Sequence, residues 1–373
     1  MKILHISQPT TAGTAVVLRT LVADGVRRGH EVTVACPSGG DLSGWVQSAG
    51  ATWVELPMER APGRRDLGAV VYARRLLKSC DVVHLHSSKA GAIGRVAAWT
   101  LGRRRPPVAF TPHGWSWYVG GRMSRYYRVF ERWAAKHCDV VVAVSVEELA
   151  DGEKVLGHRG TVVAIENGVD TGAFRPGAHQ HRADPPLIVT VGRLSEQKGQ
   201  DRLLRAVAQL RRQDLTVRLV GSGPDELGLR RLAVELGVAE RVEFAGERDP
   251  REDYRAATLV VLPSRWEGLS LVLLESMACG APIIASAAGA GAVLGESGVV
   301  IDSGSDQAFV DQLAGAVADL LDDEGRRHLL GSAARNRILE RYSLERTLDA
   351  YDDLWANLAA AREAGAPVLE GRT

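Results

Sequence analysis

The 373-residue chain has almost no net charge, since 46 lysines and arginines face 45 aspartates and glutamates. Binding nucleic acid through an overall field needs a larger excess, so nucleic acid is not an expected partner and any basic contact must be local. Cysteine is scarce as well. Cys36, Cys80, Cys138 and Cys279 lie far apart without metal-type spacing and read as reduced thiols of a cytoplasmic protein. No run approaches the roughly 20 apolar residues of a membrane span, and the apolar run in MKILHISQPT is too short for a signal peptide. No 20–50-residue self-similarity of solenoid type is present. The G-x-G-x-x-G fingerprint of dinucleotide binding is also missing after the first apolar run, where TTAGTAVV stands instead. That removes the main support for a nicotinamide-dependent oxidoreductase.

What is present is a rhythm of short Val/Ile/Leu-rich runs and longer amphipathic stretches. Strands are expected at KILHIS (2–7), EVTVAC (31–36), DVVHLHS (81–87), PVAFTPHG (107–114) and DVVVAVS (139–145). The rhythm restarts at PLIVTVGRL (186–194) and continues through LTVRLVGSG (215–223), RVEFAG (241–246), TLVVLPS (258–264) and APIIAS (281–286). Such alternation implies βαβ units and parallel sheets covered on both faces. RPGAHQHRADPP (175–186), rich in Pro, His and charge, reads as a linker. The expectation is therefore α/β: two Rossmann-like, doubly wound domains facing across a cleft, residues 1–180 and 181–342. A final helical stretch from about 343 to 373 would cross back to the first domain.

In open parallel sheets, ligands bind beyond the carboxyl ends of the strands. After the first strand, Gly13 would let backbone N–H groups approach a phosphate beside a helix N-terminus, although a plain turn explains it equally well. In VGRLSEQKGQ, Arg193 and Lys198 sit between Gly192 and Gly199. A forked guanidinium and a point charge suit a diphosphate. VGSGP (220–224), with Gly221, is a second glycine-rich strand end. EGLSLVLLE (267–275) places Glu267 just ahead of a helix starting near Ser270, and Glu275 inside it among apolar residues, where a carboxylate needs a partner. Eight positions is not helical pairing, so the two glutamates address different parts of one ligand. His113 precedes Gly114 at a strand end. His84 and His86 share a strand face, but no third ligand stands nearby, so Ser87, Ser88 and Lys89 lining a substrate cleft is preferred to a metal.

In this order and spacing, GRLSEQKG, EGLSLVLLESMACGAPIIAS, ENGVD (166–170), HSSKAG and HG (113–114) resemble the retaining glycosyltransferases of family 4, which have the GT-B fold. The resemblance covers nearly the whole chain and implies transfer of a hexosyl group from a nucleoside-diphosphate sugar, with UDP favoured, to a hydroxyl acceptor. Arg193 and Lys198 would hold the diphosphate with the Gly13 backbone close to it, and Glu275 would accept from the ribose. Glu267 would meet the sugar hydroxyls, with the N–H groups of Gly268, Leu269, Ser270 and Leu271 near sugar and β-phosphate. His113 would face the donor sugar. The family often has Gly-Gly where Ala12-Gly13 stands. Asp322–Asp323 and Asp352–Asp353 fall in C-terminal helices, so the Asp-x-Asp metal motif is lacking at strand ends and no metal or other cofactor is expected. No first-half carboxylate stands out as a nucleophile, which favours front-face transfer with retention. A non-catalytic nucleotide-sugar-binding protein is the alternative of another class.

GRMSRYYRVFERWAAKH (121–137) addresses the acceptor. At about 100° per residue, Arg122, Arg125, Arg128, Arg132 and Lys136 share one side, and Met123, Tyr126, Tyr127, Phe130 and Trp133 the neighbouring side. Either the aromatics pack inward, or the helix lies on an anionic membrane or binds a lipid diphosphate acceptor. RRRPP (103–107) adds charge nearby. The resemblance around HSSKAGAIGR leans toward a lipid-linked glycan acceptor of cell-surface polysaccharide synthesis. That would make the protein cytoplasmic with peripheral contact on the inner membrane face; a soluble natural-product acceptor stays open.

Overall fold

The structure, a computed structural model, describes residues 1–364 apart from 60, 62, 120, 122 and 178–182. The chain forms two units: Met1–Asn167 together with the chain from Arg346 on, and Gly168–Glu345.

Among the described residues, the first unit holds seven parallel strands: β1 Lys2–Ser7, β2 Glu31–Cys36, β3 Thr52–Glu55, β4 Val82–His86, β5 Val108–Thr111, β6 Val140–Ala143 and β7 Val162–Ala164. They lie in the order β3-β2-β1-β4-β5-β6-β7. Between and after them run α1 Ala12–Arg27, α2 Leu42–Ser48, α3 Arg65–Leu76, α4 Ser88–Leu101, α5 Met123–Ala134 and α6 Val146–Leu156. The second unit repeats the plan with β8 Leu187–Val191, β9 Thr216–Val220, β10 Val242–Gly246, β11 Leu259–Leu262, β12 Ile283–Ser286 and β13 Val299–Ile301, ordered β10-β9-β8-β11-β12-β13. Its helices are α7 Gln200–Gln209, α8 Glu226–Glu235, α9 Arg251–Ala256, α10 Leu271–Ala278, α11 Gly291–Leu294, α12 Asp306–Asp322 and α13 Glu324–Arg341; α14 Leu344–Ala364 follows.

The central strands β4, β6, β11 and β12 are buried along their whole length, as expected where helices cover both faces. β3, β7 and β13 were absent from the expected strands. They are edge or near-edge pieces of three or four residues, too short to show a period.

The division falls at Asn167 rather than at 180. Val169 N donates to Tyr342 O at 2.9 Å, and Leu344 N donates to Val169 O at 3.0 Å. These bonds tie the chain to the second unit before the Pro-rich segment, whose residues 178–182 lie outside the described ones. α14 completes the first unit. Tyr351, Leu354, Trp355 and Leu358 bury against Ile3, Leu21, Val82, Ala109 and Val140. The expected stretch to 373 is described only as far as Ala364.

Candidate functional site

In the second unit β8 pairs with β9 on one side and β11 on the other, so the winding reverses between β8 and β11. This is the switch point at which open α/β sheets take ligands. The two loops that meet here are stitched together. Arg265 N donates to Gln197 O at 2.7 Å, and Gln197 Nε2 donates to Trp266 O at 3.0 Å. Arg265 forks onto both Asp201 oxygens at 2.8 Å and reaches Asp306 at 2.7 Å, so its charge is spent holding the loop. Lys198 and Glu267 form an ion pair, and Ser264 Oγ donates to Glu267 Oε1 at 3.1 Å. The cation and the carboxylate assigned to different parts of a donor are thus each other's partner here. Arg193 is exposed, and its guanidinium meets no carboxylate among the described residues.

α10 begins at Leu271 after Ser270, whose side chain makes no capping bond. Its first N–H groups therefore offer an anion site next to Lys198 and Glu267. Leu269 is buried. Inside the helix, Glu275 Oε2 accepts from Tyr254 Oη at 3.0 Å. Burial pushes this carboxyl up to about 7 against the pull of that hydrogen bond. Gly221 has a backbone reason for its identity: φ is +131°, and a Cβ would stand 2.2 Å from Gly192 O. Close packing of strand ends, not ligand approach, explains it.

The first unit has its own switch point, between β1 and β4. Gly13 lies in the first turn of α1 behind an uncapping Thr11. A Cβ there would meet nothing within 4 Å, so the fold itself does not demand glycine. Ser87 and His113, at the ends of β4 and β5, have φ of +74° and +52°, costly for residues with a Cβ. Glu148 clamps the second of these loops. Its two oxygens accept from Gly114 N and Val144 N, each at 2.7 Å, and burial pushes its carboxyl up to about 7 against them. Ser87 Oγ is buried without a hydrogen-bond partner among the described residues. Ser88 opens α4. Lys89 is held by Asp66 at 2.6 Å and the Ala61 carbonyl at 2.9 Å.

One expectation is corrected. A third imidazole does stand beside His84 and His86: His5, their neighbour across the β1–β4 ladder, where His5 pairs with His84. Ring nitrogens of the three lie within 4.8 Å of one another. All of these nitrogens except His5 Nε2 are already committed, however. Trp355 Nε1 donates to His84 Nδ1 at 3.3 Å, and His84 Nε2 bonds Thr111 Oγ1 at 2.8 Å. His86 uses Nε2 toward His5 Nδ1 at 3.0 Å and Nδ1 toward His113 Nε2 at 3.1 Å. Burial holds His84 and His86 well below the usual imidazole range, His5 at about 3 and His113 at about 4. A metal would have to break these bonds, with no carboxylate among the three to offset its charge, so the residues do not fit one. The signal in the sequence was a histidine inside an otherwise apolar strand, KILHIS.

α5 turns its apolar side outward. Met123, Tyr126, Val129 and Trp133 are 52%, 67%, 60% and 37% exposed, while Glu131 is buried. Glu131 receives two bonds from the fully buried Arg95, at 2.7 and 3.0 Å. The inward-packing reading of the aromatics therefore fails for Tyr126 and Trp133. Gly121, Arg125, Tyr126, Val129, Phe130 and Trp133 line an open groove of about 950 Å³. Arg125, Arg128, Arg132 and Lys136 are exposed beside it, as are Arg103 and Arg104; Arg122 lies outside the described residues.

Two family models cover nearly all of this chain: Glycosyltransferase Family 4 matches residues 11–173 and Glycosyl transferases group 1 matches residues 174–337. A GDP-mannose-dependent alpha-(1-6)-phosphatidylinositol monomannoside mannosyltransferase of Mycolicibacterium smegmatis is 30% identical over 95% of this chain and 98% of its own length. A D-inositol 3-phosphate glycosyltransferase of Corynebacterium urealyticum is 29% identical over 83% and 79%. Among solved structures, sucrose-phosphate synthase from Thermosynechococcus elongatus superposes with a TM-score of 0.81 at 22% identity, covering 97% of this chain and all of that one. Anabaena HepE in complex with UDP-glucose gives 0.80 at 20% identity, covering 95% and 99%. These two likenesses establish the fold.

Proposed function

The chain belongs to the family 4 glycosyltransferases, and from that footing we propose that it moves a hexose from a nucleotide sugar to a hydroxyl of an inositol-containing lipid at a membrane surface. The observation that carries the reading is the second unit's switch point. Exposed Arg193, the Lys198–Glu267 pair and the uncapped start of α10 converge there, with Glu275 farther along the same helix. Arg193, Lys198 and the helix start supply positive charge where a diphosphate departs. Glu267 then reads the sugar hydroxyls, and Glu275 the ribose.

Transfer proceeds on one face of the sugar. The bond from the anomeric carbon to the diphosphate oxygen breaks while the acceptor oxygen attacks from the same side. The acceptor's proton passes to the departing phosphate, and the anomeric configuration is retained. No metal is called for in this scheme. The names of the Mycolicibacterium and Corynebacterium relatives support an inositol-bearing acceptor and make GDP-mannose the first donor to try; UDP-sugars belong in the same panel. The exposed aromatics and arginines of α5 suit contact with anionic lipid.

The test is incubation with GDP-mannose, UDP-glucose or UDP-galactose and phosphatidylinositol-containing vesicles, with products read by mass spectrometry. Hexosylated lipid whose NMR shows the donor's anomeric configuration, formed equally in EDTA, is expected. An inverted product or EDTA-sensitive turnover refutes the mechanism. Absence of any transfer, with the nucleotide sugar still bound, favours a binding protein instead.

A further inference from the structure

We propose that His86 and His5 are positioning residues that fix the ring orientation and tautomer of His113 through a continuous chain of imidazole–imidazole hydrogen bonds, leaving His113 Nδ1–H directed away from the chain as a donor. The inference rests on the transferase reading only for the use to which His113 is put; the chain stands on geometry.

The chain crosses three neighbouring strand ends, from β1 over β4 to the loop after β5. His5 Nδ1 and His86 Nε2 are 3.0 Å apart, and His86 Nδ1 and His113 Nε2 are 3.1 Å apart. The last two rings are stacked at 21°. His5 and His86 are fully buried, while His113 is partly exposed. Burial keeps all three rings neutral at ordinary pH, so each has one N–H and one lone pair. His86 must therefore donate through one nitrogen and accept through the other, and the two bonds run head to tail.

Only two directions satisfy this. In one, His5 donates to His86 and His86 donates to His113. In the other every bond is reversed, and His5 Nε2 carries the proton. That nitrogen is buried without a hydrogen-bond partner among the described residues. A buried orphan N–H is rarer in folded proteins than a buried orphan acceptor, which selects the first direction. His5, His86 and His113 then all carry their protons on Nδ1. His84 lies against His86 at 4.1 Å between centroids but stays outside the chain. Trp355 donates to its Nδ1, so its own proton is on Nε2 and goes to Thr111. The other groups packed around these rings are Tyr351, Trp355 and Thr111, with Glu148 bound to the next residue, Gly114. Among the described residues none is a second acceptor that would let His86 donate twice.

A neutral Nδ1–H at His113 can donate to a sugar hydroxyl or ring oxygen without carrying a positive charge of its own. His113 sits at a costly φ of +52° in a loop held by Glu148, and the bond from His86 restrains the ring itself.

Two measurements on the full chain test this. In long-range 1H–15N spectra of 15N-labelled protein, assigned by single substitutions, His5, His86 and His113 should appear as Nδ1–H tautomers and His84 as Nε2–H. Nitrogen–nitrogen couplings should link His5 to His86 and His86 to His113. An Nε2–H tautomer at His113, or no coupling between the rings, overturns the proposal whether or not the protein transfers sugar. The second measurement compares two substitutions of similar size. His86→Asn places its amide where Nδ1 stood and keeps the contact with His113, whereas His86→Gln reaches instead toward His5. Nucleotide-sugar hydrolysis or transfer should show kcat lowered about 10- to 100-fold in the Gln variant with donor KM little changed, and largely recovered in the Asn variant. Equal kcat losses in two variants with the same melting temperature would mean that His86 only fills space.

Discussion

Glu275 offers the sharpest test of the donor assignment because its chemistry can be titrated. Burial pushes its carboxyl up to about 7, and among the described residues only the Tyr254 hydroxyl donates to it. If ribose hydroxyls bind the ionised form, donor affinity must fall as the solution becomes more acid. With a midpoint of about 7, the ionised share is about nine tenths at pH 8 and about one tenth at pH 6. The apparent Kd should therefore rise about tenfold over that interval, about 1.4 kcal/mol. The ligand should be an intact nucleotide sugar titrated by calorimetry. Its diphosphate is esterified at both ends, whereas a terminal phosphate ionises near pH 6 and would blur the result. Glu275→Gln should bind more weakly at pH 8, by about fivefold, since a bond to a charged acceptor is worth roughly 1 kcal/mol more than a neutral one. It should also lose the pH dependence. Tyr254→Phe removes the donor that favours ionisation, so its midpoint should move up. Affinity flat between pH 6 and 8, or a Gln variant that keeps the wild-type slope, refutes the assignment. The sign for stability is opposite. A carboxyl whose native pKa lies above its unfolded value contributes most below the unfolded value, and that contribution is lost as pH rises through about 7.

The glycines after β1 and after β9 should separate cleanly. Gly13→Ala, with open space around its Cβ, should leave the melting temperature unchanged and weaken donor binding. Gly221→Ala should cost more than about 2 kcal/mol in chemical denaturation, because φ is +131° and the new Cβ would strike Gly192 O. Arg95→Met leaves Glu131 buried and unpaired, for an expected loss of about 3–5 kcal/mol in denaturation; Arg95→Met with Glu131→Leu should regain most of it. Glu148→Gln turns an amide NH2 toward one of two backbone N–H donors, which should cost about 1–3 kcal/mol and lower kcat through the His113 loop.

The central strands were legible because both of their faces are buried, so the run of Val, Ile and Leu is unbroken. β3, β7 and β13 were not, being too short and too near the edges to leave a pattern. The glutamates of EGLSLVLLE drew notice for a sound reason, since Glu275 in an apolar helix must have a partner; that the partner is Tyr254 depends on how α9 packs. The ion pair between Lys198 and Glu267 was hidden for the same reason, as a β8 loop and a β11 loop meet only through strand order. His5 was missed because 79 residues separate it from His84, and only parallel registry brings them level. On α5, nothing in the sequence marks Glu131, which stands among arginines, as buried. Its burial against Arg95 is what leaves the neighbouring aromatics outside.

The return of α14 to the first sheet sets an order for biosynthesis. The second unit lies wholly between Gly168 and Glu345 and can close as soon as that stretch leaves the ribosome. The first unit emerges earlier yet finishes later. Until Tyr351, Trp355 and Leu358 arrive, the face formed by Ile3, Val82 and Val140 is covered only in part, by Leu21 and Val17 of α1, and His84 lacks its Trp355 donor. The usual N-terminal-first sequence of domain folding is inverted here. A nascent or truncated chain that ends before α14 presents a half-covered apolar sheet face to chaperones and proteases while its second unit has all of its own sequence.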